Sequence, residues 1–248
     1  MIKAIFTDLD NTLVANQYLY DEAKASLYGY LRHFGVLPAE ARPAFDVYDQ
    51  ELFKTLGYSR ERMPAAFEAT LRHFVPEADA EMVAIVREFA EEIFNTVARV
   101  KPGTPDAIAA LMSKYPVYIV TAGDKGVQET RISHLPFQDK LAGAFIVDYK
   151  NKKTFEDLAA NLGLKPEEII MIGDSLKSDV IAPVQAGMQA VWIEDHNSAF
   201  EAATDFPKKN AYKFSSFPAA VRHILKNGTA APVVKDSTTN SPSFIKFK

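Results

Sequence analysis

The sequence predicts an α/β protein, a parallel sheet between two layers of helices, interrupted by a long helical insert. Three observations carry this. Short apolar, β-compatible runs alternate with helical stretches from Lys101 onward. Several of those runs stop abruptly at a polar or acidic residue. Between Ala15 and about Arg99, strand-like runs vanish and helical periodicity takes over.

The chain opens with its most informative stretch. Residues 2 to 6 read as a buried strand, and Asp8 and Asp10 follow it. Acids spaced this way after a strand can both enter the crevice at the sheet's carboxyl edge, where open α/β sheets bind ligands. They repel unless a cation lies between them or one holds a proton. A metal site, an acid–base pair, or both follow from that. A helix cap or an Asx-turn is the plainer alternative.

The insert reads as four helices. Asp21 to Phe34 puts Leu27, Tyr30, Leu31 and Phe34 on one stripe, closed by Gly35. A second lies within Pro38 to Leu56, with a restart at Pro43. Ser59 caps a third carrying Phe67, Leu71 and Phe74, and a fourth runs from Asp79 to Val97. Its aromatics are read as core packing.

After Lys101 a helix reaches Lys114, and Val117 to Val120 is a strand ending at Thr121. A helix from Lys125 to His134 precedes a strand at Ala144 to Val147, then Lys150, Lys152 and Lys153. A helix carries Phe155, Leu158 and Leu162, with Gly163 after it. The strand Ile169 to Ile172 ends in Gly173, Asp174 and, further on, Asp179. A helix to Ala186, a strand at Ala190 to Ile193 and a short helix at Val221 to Leu225 complete the pattern. From Gly228 the chain is rich in Thr, Ser, Pro and Lys, which predicts a poorly ordered tail. The expected division is an α/β core from 1–14 and 100–227, a helical domain from 15–99, and a tail from 228–248.

Composition narrows the function. The chain is 48% hydrophobic and 24% charged, enough to bury a sizeable core. A net charge of −4 argues against general nucleic-acid binding. Without cysteine there is no disulfide or thiolate chemistry. A strand starting at Ile2 leaves no room for a signal peptide, and no apolar run is long enough to span a membrane. A cytoplasmic protein without a membrane partner is expected.

In a parallel sheet, Asp8 and Asp10, Thr121, Lys150, then Asp174 and Asp179 all fall at one edge. Each has an ordinary explanation as a turn, a solvated charge run or a cap. Together they resemble the four motifs of the haloacid dehalogenase-like (HAD) hydrolase superfamily. Asp8-Leu9-Asp10-Asn11-Thr12 matches the first motif, Thr121 the second, Lys150 the third and Gly173 to Asp179 the fourth. The insert resembles the family's α-helical cap. The third-motif lysine is often followed by proline, whereas Asn151, Lys152 and Lys153 follow here. Lys152 and Lys153 therefore stay alternatives to Lys150, which is preferred on its spacing to Phe155.

The resemblance implies a Rossmann-like core with a helical cap and a Mg²⁺-dependent phosphatase acting on a small phosphorylated metabolite. By resemblance, Asp8 attacks phosphorus to form an aspartyl-phosphate, and Asp10 is the acid and then the base. Asp8 and Asp174 give carboxylate oxygens to Mg²⁺, Asp10 its backbone carbonyl, and Asp179 acts from outside or through water. Lys150, Thr121 and the backbone N–H groups near Leu9 and Ala122 hold phosphoryl oxygens. An acid at position 10 favours phosphoryl transfer over dehalogenation. A phosphomutase, or a binding protein that kept the fold, remains the alternative. Asn16, Gln17 and Tyr20 are candidates to face the leaving group. Arg60 and Arg62 are either a second anion contact or a solvated helix start.

Overall fold

The computed structural model describes residues 1–194 and 205–231. The tail expected to be poorly ordered falls mostly on residues 232–248, which lie outside the described residues.

Six parallel strands form the sheet: β1 (Ala4–Thr7), β4 (Val117–Ala122), β5 (Gly143–Val147), β6 (Ile169–Gly173), β7 (Gln189–Ile193) and β8 (Ala211–Phe214). Their order is β5-β4-β1-β6-β7-β8. From β1 the chain steps outward to β4 and β5, then returns to pair β6 with the other edge of β1. The strand order therefore reverses at β1, and the crevice beyond its carboxyl end is where such sheets bind ligands.

Side-chain alternation sends neighbouring residues to opposite layers. Ile5, Ile119, Ile170 and Val191 share one buried cluster with helices α5 (Thr104–Met112) and α9 (Phe217–Asn227). Ala4, Phe6, Val120 and Met171 pack on the other face against α7 (Lys152–Asn161) and α8 (Ala182–Ala186). Helix α6 (Lys125–Ser133) follows β4, with Asp124 accepting from Val127 N at its start. Among the described residues, no helix is long and apolar enough to cross a membrane.

The insert holds α1 (Gln17–Leu31), α2 (Pro38–Leu56), α3 (Arg62–Phe74) and α4 (Ala80–Asn95). Its entry and exit are paired: β2 (Val14–Ala15) runs antiparallel to β3 (Arg99–Val100). Leu27, Phe45, Phe67 and Ile93 fill its interior, and this cluster is continuous with the sheet's first face.

The elements depart from expectation in several places, one being Ser59, which does not cap α3: that helix starts at Arg62 after Glu61, with no side-chain cap. Helix α1 begins at Gln17, not Asp21, because the Asn11 side chain accepts from Asn16 N and Gln17 N and turns the chain into the helix early. Helix α2 runs unbroken through Pro43, which lies in its second turn, so no restart occurs. Strand β8 was not anticipated; its Ala-Tyr-Lys-Phe run is short and half-exposed at an edge. Residues 229–231 are docked, not loose: Gln189 Oε1 accepts from Thr229 Oγ1 and Ala230 N, and Ala230 is buried.

Candidate active site

Asp8 leaves β1 with its backbone N–H still bonded to Ile172 O at 2.8 Å, so β6 fixes its position. The chain then turns tightly. Leu9 O accepts from both Leu13 N and Val14 N, and Asn11 takes the left-handed conformation that Asn tolerates. This turn lets Asp8 and Asp10 diverge instead of sharing one site.

Asp8 is buried beside Lys150, whose ammonium donates to Asp8 Oδ1 and, at 2.7 Å, to Asp179 Oδ1. Burial works against the Lys150 charge, but Asp179 and Asp8 together more than offset it and raise its pKa. Lys152 and Lys153 instead point along α7 to Glu156 and Asp157 and are exposed. The geometry thus separates Lys150 from its two alternatives.

Asp8, Asp174 and Asp179 each present an oxygen within 4.8 Å of the other two. Asp174 also accepts from Thr12 Oγ1 at 3.3 Å, and its backbone carbonyl accepts from Trp192 Nε1 at 2.7 Å. Burial raises the Asp174 pKa well above the carboxylate range, and Asp8 and Asp179 add to the rise. Burial pushes Asp179 up to about 7, opposed by Lys150. Gly173 makes room for this cluster: a β-carbon there would lie 2.3 Å from the Asp179 carboxyl. An oxygen-only set of three carboxylates suits a hard divalent cation, which would remove their mutual repulsion. The cluster can hold a metal ion.

Asp10 stands apart from this cluster. Its Oδ2 accepts from Gln128 Nε2 and Arg131 Nη1, both at 2.8 Å. Burial raises its pKa; Arg131 opposes the rise and Asp8 adds to it. Neither Gln128 nor Arg131 was anticipated. They sit three residues apart on one face of α6, a spacing that in the sequence alone looks like any solvated helix face.

A cavity of about 380 Å³ opens between the sheet edge and the insert. Asp8, Asp10, Thr121, Ala122, Lys150, Asp174 and Asp179 line it from the sheet side. Thr121 is buried at the end of β4. Leu9 is not part of the lining; its side chain points into the apolar core. From the insert come Asn16, Gln17 and Tyr20, as anticipated.

Arg60 does not join them. It donates to Glu91 and to Asn95 Oδ1 and lies over the Phe94 ring, which holds it against α4. Arg60, expected as a candidate substrate contact, is not in the cavity lining, whereas Arg62 lines it, 3.2 Å from Asp49 and over the Phe53 ring. Two residues, about half a helical turn, separate the arginine that faces inward from the one that does not.

Five buried side-chain polar atoms lack a partner among the described residues, and four belong to this lining: Asp10 Oδ1, Asn16 Oδ1, Gln128 Oε1 and Arg131 Nη2; Asp49 Oδ1 and Arg62 Nε also line it but pair with each other at 3.2 Å. Unpaired buried polar atoms cost about 1–3 kcal/mol each. A polar ligand in this cavity would satisfy them.

The parallel sheet, the acidic crevice at its switch point and the helical insert define a hydrolase architecture. The chain belongs to the haloacid dehalogenase-like hydrolases, whose family model matches residues 2–187. It is 30% identical over 200 residues to a glyceraldehyde 3-phosphate phosphatase of Pyrococcus furiosus, covering 78% of this chain and 81% of that protein. It is 24% identical over 207 residues to the pyrimidine 5'-nucleotidase PynA of Streptococcus pneumoniae, covering 79% and 85%. Among solved structures, a haloacid dehalogenase-like family hydrolase of Xanthomonas campestris superposes with a TM-score of 0.75 at 23% identity, covering 91% of this chain and 96% of that one.

Proposed function

We propose that this hydrolase cleaves phosphate monoesters of small metabolites in two steps through an aspartyl-phosphate on Asp8, with Mg²⁺ bound. One observation carries the reading: two carboxylates two residues apart have separate partners. Asp8 lies against the buried Lys150 ammonium at the acidic cluster, while Asp10 is held away from it by Gln128 and Arg131, and burial raises the Asp10 pKa. Separate placement lets one acid serve as nucleophile and the other, kept protonated more readily, as proton donor.

In the first step an Asp8 oxygen attacks phosphorus, and the bond from phosphorus to the ester oxygen breaks. The leaving oxygen takes the Asp10 proton. In the second step Asp10 takes a proton from water, whose oxygen attacks phosphorus and releases Asp8. Lys150, Thr121 and the backbone N–H groups near Leu9 and Ala122 neutralise and orient the phosphoryl oxygens. Asp8 and Asp174, with the Asp10 carbonyl, would hold Mg²⁺, and Asp179 would act from behind them. When bound, Mg²⁺ supplies positive charge against the dianionic phosphoryl group. The helices of 15–99 act as a cap that excludes water, with Asn16, Gln17, Tyr20 and Arg62 reading the leaving group.

The named relatives put triose phosphates and pyrimidine nucleotides first among candidate substrates. The test is a panel of phosphorylated metabolites holding both classes, with p-nitrophenyl phosphate as the reference. Activity that vanishes in EDTA and returns with Mg²⁺ is expected. No release of phosphate from any monoester, or full activity without metal, would overturn the reading.

A further inference from the structure

The α6 pair on Asp10 has no role in the two steps above, yet its geometry is specific. A carboxylate offers two oxygens. Here both donors fall on Oδ2, and Oδ1 is left with no partner. Gln128 is itself fixed, since its Nε2 also donates to Ala122 O at 3.3 Å. Gly123 keeps the space open for it: a β-carbon there would lie 2.6 Å from Gln128 Nε2. Arg131 is nearly buried, with only 8% of its side chain exposed, so its charge is spent inside the protein and not on solvent. Tyr20, on the first helix of the insert, lines the same cavity as this guanidinium.

We infer that Arg131 is a positioning residue for Asp10. With Gln128 it clamps Oδ2, fixes the plane of the carboxyl group and leaves Oδ1 as the oxygen that exchanges the proton with the leaving group. This rests on the proposed acid–base role of Asp10. A planar, multi-donor guanidinium suits the task, because it binds a carboxylate oxygen while keeping a fixed orientation. A surface ion pair would need neither the burial nor the second donor.

The test uses the full chain saturated with Mg²⁺ and two probes, phenyl phosphate and p-nitrophenyl phosphate. Phenolate leaves poorly without a proton, nitrophenolate leaves well. Arg131→Met should lower kcat on phenyl phosphate at least ~10-fold more than on p-nitrophenyl phosphate, within the range of one general acid, with KM changed little. Arg131→Lys should recover part of that difference. In the Asp10→Asn background, Arg131→Met should cost little further, because residues that act as a unit are not additive.

Equal losses on both probes, additive losses in the double variant, or a rise in KM alone would overturn the inference; the last would make Arg131 a phosphate ligand. If Arg131→Met does not fold, Arg131→Lys and the double-variant comparison made with it decide the matter. If Asp10→Asn itself shows no dependence on the leaving group, the acid–base reading fails. If Asp10→Asn shows it and the Arg131 variants do not, only the clamp fails.

Discussion

Lys150 Nζ lies 2.7 Å from Asp179 Oδ1, with 4% and 1% of the two side chains exposed, while the same ammonium also reaches Asp8. One cation is shared by two buried carboxylates. Removing it leaves both uncompensated, which is costly in a dry site. Lys150→Met should lower kcat at least ~10²-fold, the loss typical of one preorganised charge at a reacting oxyanion. Lys150→Arg should rescue little, because a planar guanidinium does not fit the slot of a compact ammonium. Lys152→Ala and Lys153→Ala should leave activity where it is. Steady-state rates on p-nitrophenyl phosphate decide this, and equal losses at Lys150 and Lys152 would contradict it.

The split between Asp8 and Asp10 predicts different failures. On the proposed mechanism Asp8→Asn removes the nucleophile and should cost at least ~10³-fold, about 4 kcal/mol of barrier, whatever the leaving group. Asp10→Asn removes the proton donor, so alkyl phosphates should lose nearly all turnover. On p-nitrophenyl phosphate the first step should survive better and the second should stall. Rapid mixing should then show a burst approaching one nitrophenolate per site.

Gly173 leaves no room for a β-carbon beside the acidic cluster. Gly173→Ala places a methyl group against the Asp179 carboxyl and forces it to move. The expected cost is about 1–3 kcal/mol of stability, as for other overpacked sites, together with weaker Mg²⁺ binding. Thermal unfolding and Mg²⁺ titration of the variant measure both.

Metal and pH should be linked. Asp179 titrates at about 7 in the folded chain, raised first by burial. In the unfolded chain it has an ordinary aspartate pKa of about 3.9. Its contribution is therefore fully present below about pH 4 and is lost as pH rises through 7. Asp174 shifts in the same direction. In EDTA, Asp179→Asn should remove part of the stability loss that wild type shows between pH 5 and 8. Mg²⁺ should stabilise wild type more at pH 8 than at pH 5. Identical pH slopes for the two proteins would contradict this.

The two arginines ahead of α3 should behave oppositely. Arg62→Ala should shift relative rates among substrates while p-nitrophenyl phosphate, which has little to read beyond phosphorus, changes less. Arg60→Ala should leave those ratios unchanged and lower thermal stability slightly, since its partners Glu91 and Asn95 belong to α4.

The sheet edge was legible in the sequence because apolar runs broken by Asp8, Thr121 and Asp174 need no tertiary information to read. Lys150 was legible by its spacing to Phe155, and the structure separates it from Lys152 and Lys153. Three things were not legible. Gln128 and Arg131 meet an acid more than a hundred residues away, and nothing local distinguishes them from a solvated helix face. Arg60 and Arg62 differ only in rotation about one helix start. Strand β8 is defined by its pairing with β7 rather than by its own pattern.

The ribbon of β2 and β3 sets Val14 opposite Val100 and Ala15 opposite Arg99. Cα atoms so paired are about 5 Å apart, a gap that a two-residue hairpin closes. The insert of more than eighty residues therefore hangs from a doorway one strand-pair wide, and its length adds little to the topological complexity of the sheet. Such a segment can be exchanged for one of another size without rethreading the strands beneath it. Joining Val14 to Val100 through Asn-Gly should keep the strand order while exposing the apolar face that the insert now covers. The sheet edge and the helices that cover it are, in this chain, modular along the backbone.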